Sequence, residues 1–85
     1  MGGAQELAAF ARTLRRLRRE RDLSQRALAA VAGLAEKHVS EIERANREPK
    51  LTTIFKLARG LGMAPEALIG EVDAQLEGAS GGRGG

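Results

Sequence analysis

The chain has 85 residues, with 14 Lys and Arg against 11 Asp and Glu for a net charge of +3, 42% apolar residues and no cysteine. A chain this short holds one domain, and the lack of cysteine excludes a disulfide framework and a thiolate metal site, in keeping with a reducing cytoplasm. No stretch approaches the roughly 18 apolar residues of a membrane span and no signal pattern opens the chain, so a soluble cytoplasmic protein without membrane contact is expected.

The apolar content is Leu, Ala, Ile and Val, with Phe10 and Phe55 the only aromatics, and the commonest residues besides Gly favour helices. Leu7, Phe10, Leu14 and Leu17 repeat at three- and four-residue spacing and predict a first amphipathic helix from about Ala4 to Arg21. Ser24 is a good N-cap for a short second helix carrying Leu28, Ala29 and Val31, and Gly33 ends it with a left-handed turn. Val39 and Ile42 mark a third helix directly after the turn, and Ala45 to Lys50 reads as a polar loop. Leu51, Ile54, Leu57, Ala58 and Leu61 define a fourth helix stopped by Gly62, and Pro65 suits the first turn of a fifth. Leu68, Ile69, Val72 and Leu76 extend the fifth to about Glu77, giving a domain over 1–77 and a Gly-rich tail over 78–85 that is expected to be disordered.

The window from Gln25 to Arg44 carries the function. Ala29 is small where the next helix crosses close, Gly33 makes the turn, and Leu28, Leu34, Val39 and Ile42 plug the angle between the two helices. The residues left pointing outward on the second of them are Ala35, Glu36, Lys37, Ser40, Glu41 and Arg44, the face that a recognition helix lays in the major groove. Lys37 can donate to guanine, whereas Glu36 and Glu41 can only accept, from a cytosine or adenine amino group. The plainer reading is an i, i+4 pair of Lys37 with Glu41 that solvates the helix. Gln25, Arg26, Arg44, Asn46, Arg47 and Lys50 flank that face and are candidate phosphate anchors, against a background of ordinary surface charge.

This pattern resembles the Cro/CI-type, or XRE, helix-turn-helix family, which includes phage repressors and restriction-modification controller proteins. The resemblance runs from about Leu14 to Ile69 through Leu14, Arg18, Leu23-Ser24-Gln25, Leu28-Ala29, Gly33-Leu34, Ile42-Glu43-Arg44, Pro49, Leu57-Ala58 and Leu61-Gly62. It implies an all-α, compact five-helix lambda-repressor-like domain, acting as a homodimer on a palindromic operator, with Gln25 on a phosphate and Glu36, Lys37 and Glu41 at base-reading positions. It also implies a structural ion pair between Arg18 and Glu43, which the sequence alone leaves as surface charges. The chain departs from the family pattern at Ala35, Ala45, Lys50 and Ala64, where Ser or Thr, Gly, Ser and Ser are usual. Lost capping hydroxyls cost about 0.5 to 2 kcal/mol unless another residue, such as Thr52, takes their place.

Six arginines between Arg12 and Arg21 stand against Glu71, Asp73 and Glu77 near the other end, an asymmetry that points to a polyanionic partner or, more simply, to a solvated helix face. His38 is the only histidine; without a second His or a Cys it is no metal site, and it is expected to pack or touch phosphate beside the recognition face. No nucleophile-base set and no phosphate-binding loop is present, so neither an enzyme nor a cofactor is expected. Leu68, Val72 and Leu76, at four-residue spacing, are the expected dimer interface. Sequence-specific control of transcription is the function expected, and the alternative is a protein-interaction module on the same fold, antitoxin-like or coactivator-like.

Overall fold

A computed structural model describes residues 3–79. Five helices account for most of them: α1 (Ala4–Glu20), α2 (Gln25–Ala32), α3 (Glu36–Glu43), α4 (Leu51–Gly60) and α5 (Pro65–Ala79). The fifth helix includes Gly78 and Ala79, two residues assigned from sequence to the tail. The rest of that expected tail lies outside the described residues.

Each helix contributes at least one fully buried side chain to a single aliphatic core, Leu14 from α1, Leu28 from α2, Val39 and Ile42 from α3, Leu57 from α4 and Leu68 from α5. The first helix lies between α3 and α5, while α2 packs on α3 and α4. At the α2–α4 crossing a methyl group on Gly60 would stand 3.0 Å from Leu28 Cδ1 and 3.2 Å from Ala32 Cβ, so the missing side chain lets the two helices approach.

The ends of the first four helices are built alike. A residue in the left-handed region follows each one, Asp22 (φ 55°), Gly33 (φ 74°), Ala45 (φ 58°) and Gly62 (φ 74°). The next amide then folds back onto a carbonyl five residues earlier: Leu23 onto Arg18, Leu34 onto Ala29, Asn46 onto Glu41 and Met63 onto Ala58, at 2.8 to 3.1 Å. This closure satisfies carbonyls that a helix end otherwise leaves bare. Ser24 caps α2 as its sequence position suggests, its side chain accepting from the Ala27 amide at 2.9 Å. The starts of α3 at Ala35 and α4 at Lys50 carry no side-chain cap, so Thr52 does not supply one.

One expectation is corrected. Leu68 and Val72 are buried in the protomer's own core and Leu76 packs against that core from its edge, so this stripe closes one chain against α1 and leaves no dimer surface at Leu68 or Val72. Among the described residues the exposed large apolar side chains are Val31, Leu51, Phe55 and Ile69. The arginines of α1, for their part, are largely engaged within the molecule. Arg15 donates to the Glu43 carbonyl at 2.9 Å, Arg16 to Glu71 at 2.7 Å and Glu20 at 3.1 Å, and Arg21 to the Leu61 carbonyl at 2.7 Å. The charge asymmetry is thus in part an internal match of α1 with α5, and does not by itself mark a polyanion site.

Candidate nucleic-acid interface

The α2–turn–α3 unit leaves one face of α3 uncovered. Val39 and Ile42 are fully buried, while Glu36, Lys37 and Arg44 are exposed and Ser40 and Glu41 partly so. Gly33 sets this arrangement by turning the chain so sharply that only three residues separate the end of α2 from the start of α3. The face carries donors and acceptors at one-turn spacing on a helix narrow enough for a major groove.

Glu43, only 2% exposed, fixes the angle of α3. Its Oε2 accepts from Arg18 Nε at 2.6 Å and its Oε1 from Arg18 Nη2 at 3.0 Å, a forked contact in which both partners are nearly removed from water. Hydrogen bonding to Glu43 holds the Arg18 guanidinium above its ordinary pKa, against the opposing effect of burial. The third Arg18 nitrogen donates to the Leu23 carbonyl at 2.8 Å. Gln25, at the first position of α2, donates its Nε2 to Glu43 Oε1 at 3.0 Å. One carboxylate therefore ties α1, the start of α2 and the end of α3 together. Sequence reasoning missed Arg15 and Gln25 in this cluster, since they lie 28 and 18 residues from Glu43.

On the outward face Arg44 Nη1 donates to Ser40 Oγ at 2.7 Å. Glu41 does not pair with Lys37 among the described ion pairs; its Oε1 accepts instead from Arg47 Nη1 at 3.1 Å. His38 is half-buried, and its pKa lies below the ordinary 6.5 because of desolvation first and the nearby Arg47 second, with Lys56 and Lys50 acting the same way and Glu41 opposing. Asn46, Arg47 and Lys50 are exposed on the loop after α3, and Arg26 is exposed on the first turn of α2. Among the described residues no group of three or more His, Cys, Asp and Glu side chains could hold a metal ion. No described helix is long and apolar enough to cross a membrane.

Residues 14–68 match the HTH_3 helix-turn-helix family, and the chain belongs to it. It is a transcriptional regulator of the XRE type, built on a DNA-binding fold, and not an enzyme. It is 36% identical over 58 residues to the HTH-type transcriptional regulator y4dJ of Sinorhizobium fredii, covering 68% of this chain and 75% of that one. The same identity over the same length relates it to the immunity repressor of Bacillus phage phi105, of which it spans 40%. Among solved structures it is similar to the restriction-modification controller protein C.AhdI of Aeromonas hydrophila, with 40% identity, a TM-score of 0.71, and coverage of 73% of this chain and 94% of that one. The fold is shared, at 19% identity and a TM-score of 0.80, with the controller C.Esp1396I, solved as a tetramer in complex with its natural operator; 85% of this chain and 95% of that one are covered.

Proposed function

We propose that the chain binds a palindromic operator as a dimer, laying α3 in the major groove with Glu36, Lys37 and Glu41 at the base edges. The observation that carries this reading is the outward face of α3, polar and uncovered while its opposite face is fixed by Glu43. Gln25, Arg26, Arg44, Asn46 and Lys50 surround that face and anchor phosphates. Gln25 keeps one amide hydrogen beyond its bond to Glu43, and with the Ala27 amide taken by Ser24 the Gln25 and Arg26 amides have no acceptor among the described residues, so the start of α2 offers donors to a phosphate. His38 sits beside these anchors, half-buried among cations.

Dimerisation is assigned to the outer side of α4 and α5. Leu51 and Phe55, one turn apart on α4, are 70% and 42% exposed, and Ile69 on α5 is 46% exposed. Two copies joined there present two recognition helices, and their half-sites lie about one DNA turn, 34–36 Å, apart.

The test is an affinity titration on an operator selected from a random duplex pool, repeated across salt concentrations. Each phosphate contact releases counterions, so log affinity falls with log salt by about 0.9 per contact. Affinity independent of salt, or failure to enrich any sequence, contradicts the reading and favours a protein partner for this face.

A further inference from the structure

The recognition face carries two carboxylates, and the fold treats them differently. Glu36 is exposed and has no ion-pair partner among the described residues. Glu41 is held by Arg47, which lies beyond the end of the helix in the following loop. The two are six residues apart, a separation that places side chains on different sides of a continuous helix. They meet because Ala45 takes the left-handed conformation and the Asn46 amide folds back onto the Glu41 carbonyl at 2.9 Å, which returns the chain over the residue it has just left.

The contact uses one Glu41 oxygen. Arg47 Nη1 reaches Oε1 at 3.1 Å, and Oε2 accepts no bond from the described residues. The Glu41 side chain is 23% exposed against 50% for Arg47, so the carboxylate is the more enclosed partner. An unneutralised carboxylate facing a phosphate backbone is repelled, and a carboxylate free to rotate must be ordered before it can accept from a base.

We infer that Arg47 is a positioning residue for base recognition: it neutralises Glu41 and pins Oε1, leaving Oε2 to accept from a cytosine amino group. Arg47 then acts on sequence preference through Glu41 without touching a base, and it is not an independent phosphate anchor. The inference rests on Glu41 reading a base, as proposed above. It accounts for an acidic residue on a surface that approaches DNA, since the pair presents an acceptor with little net charge.

The test compares the full chain with Glu41→Gln, Arg47→Ala, Arg47→Lys and the double substitution Glu41→Gln/Arg47→Ala. Each is taken through selection from a random duplex pool and titrated against the selected operator and its single-base variants. A good base contact discriminates by about 5- to 150-fold. Glu41→Gln and Arg47→Ala are expected to alter preference at the same base pair, Arg47→Ala lowering discrimination there by about 10-fold and leaving other positions intact. Arg47→Lys, which keeps the charge, retains part of that discrimination, and adding Arg47→Ala to Glu41→Gln changes nothing further at that pair. Equal weakening of every duplex by Arg47→Ala, with a salt slope reduced by about 0.9 whether or not Glu41 is substituted, makes Arg47 a phosphate contact and overturns the inference. An Arg47→Ala chain indistinguishable from the original also overturns it. If Glu41→Gln changes the selected sequence and Arg47→Ala does not, this inference alone fails; if neither does, base reading by Glu41 fails with it.

Discussion

Arg18 and Glu43, 25 residues apart, meet in a forked ion pair, Nε to Oε2 at 2.6 Å and Nη2 to Oε1 at 3.0 Å, with their side chains 10% and 2% exposed. Removing one member leaves the other charge enclosed without a partner, which costs about 3–5 kcal/mol. Glu43→Ala is therefore expected to lower the urea midpoint strongly, by more than any surface substitution. Replacing both members with apolar residues, Arg18→Met and Glu43→Leu, should restore much of the loss, because no buried charge then remains. An unchanged midpoint for Glu43→Ala would mean that the pair does not hold the fold.

The turn after α3 makes a second expectation. Ala45 stands at φ 58° where its Cβ crowds the following carbonyl, a strain of about 1–2 kcal/mol that glycine escapes. Glycine in turn loses more freedom on folding, by about 0.5–1 kcal/mol. Ala45→Gly should thus stabilise the protein by about 0.5–1 kcal/mol, read as a higher denaturant midpoint at unchanged m-value. A lower midpoint would contradict the strain assigned to this turn.

His38 ties stability to pH. Its folded pKa lies below the ordinary 6.5, through desolvation and then the nearby Arg47, so the unfolded chain takes up its proton first as pH falls. The stability due to the neutral imidazole is complete above 6.5 and is lost as pH drops from there through the lower folded value. His38→Gln should remove this part of the pH dependence. Measured between pH 7.5 and 5, the unfolding free energy of the original chain should fall more than that of the variant, and parallel profiles would contradict it.

The proposed dimer face is tested by a charge placed on it. Ile69→Glu or Phe55→Glu should shift sedimentation towards the monomer and weaken operator binding, while leaving the helical circular dichroism unchanged, because both side chains are exposed in the protomer. Association as strong as in the original chain after both substitutions would exclude this face.

Much of this was legible in the sequence. Helical periodicity and the Ser24 and Gly33 signals located all five helices and the outward face of α3. What was not legible depends on contacts between distant segments. The four-residue spacing of Leu68, Val72 and Leu76 says that one side of α5 is apolar and is silent on whether α1 or a second chain covers it. The arginines of α1 read as one charged face, yet Arg15, Arg16 and Arg21 each find a partner at least 28 residues away. The left-handed turns at Asp22 and Ala45 lack the glycine that advertised those at Gly33 and Gly62. The Glu41–Arg47 contact was hidden for the same reason, since helical spacing pairs Glu41 with Lys37 and only the turn at Ala45 brings Arg47 back.

Selection of operators by Lys37→Ala and Glu36→Gln chains, beside the original, tests most directly whether α3 reads bases. Both side chains are exposed on the uncovered face, so neither substitution disturbs the core. On the proposed reading Lys37 donates to guanine, and its loss should relax preference at one or two base pairs by about 1–3 kcal/mol while the rest of the site persists. An amide at position 36 pairs with adenine, so Glu36→Gln should move the preferred base at its position and still bind. Enrichment of the original sequence, unchanged, by both variants would show that these residues do not choose the operator.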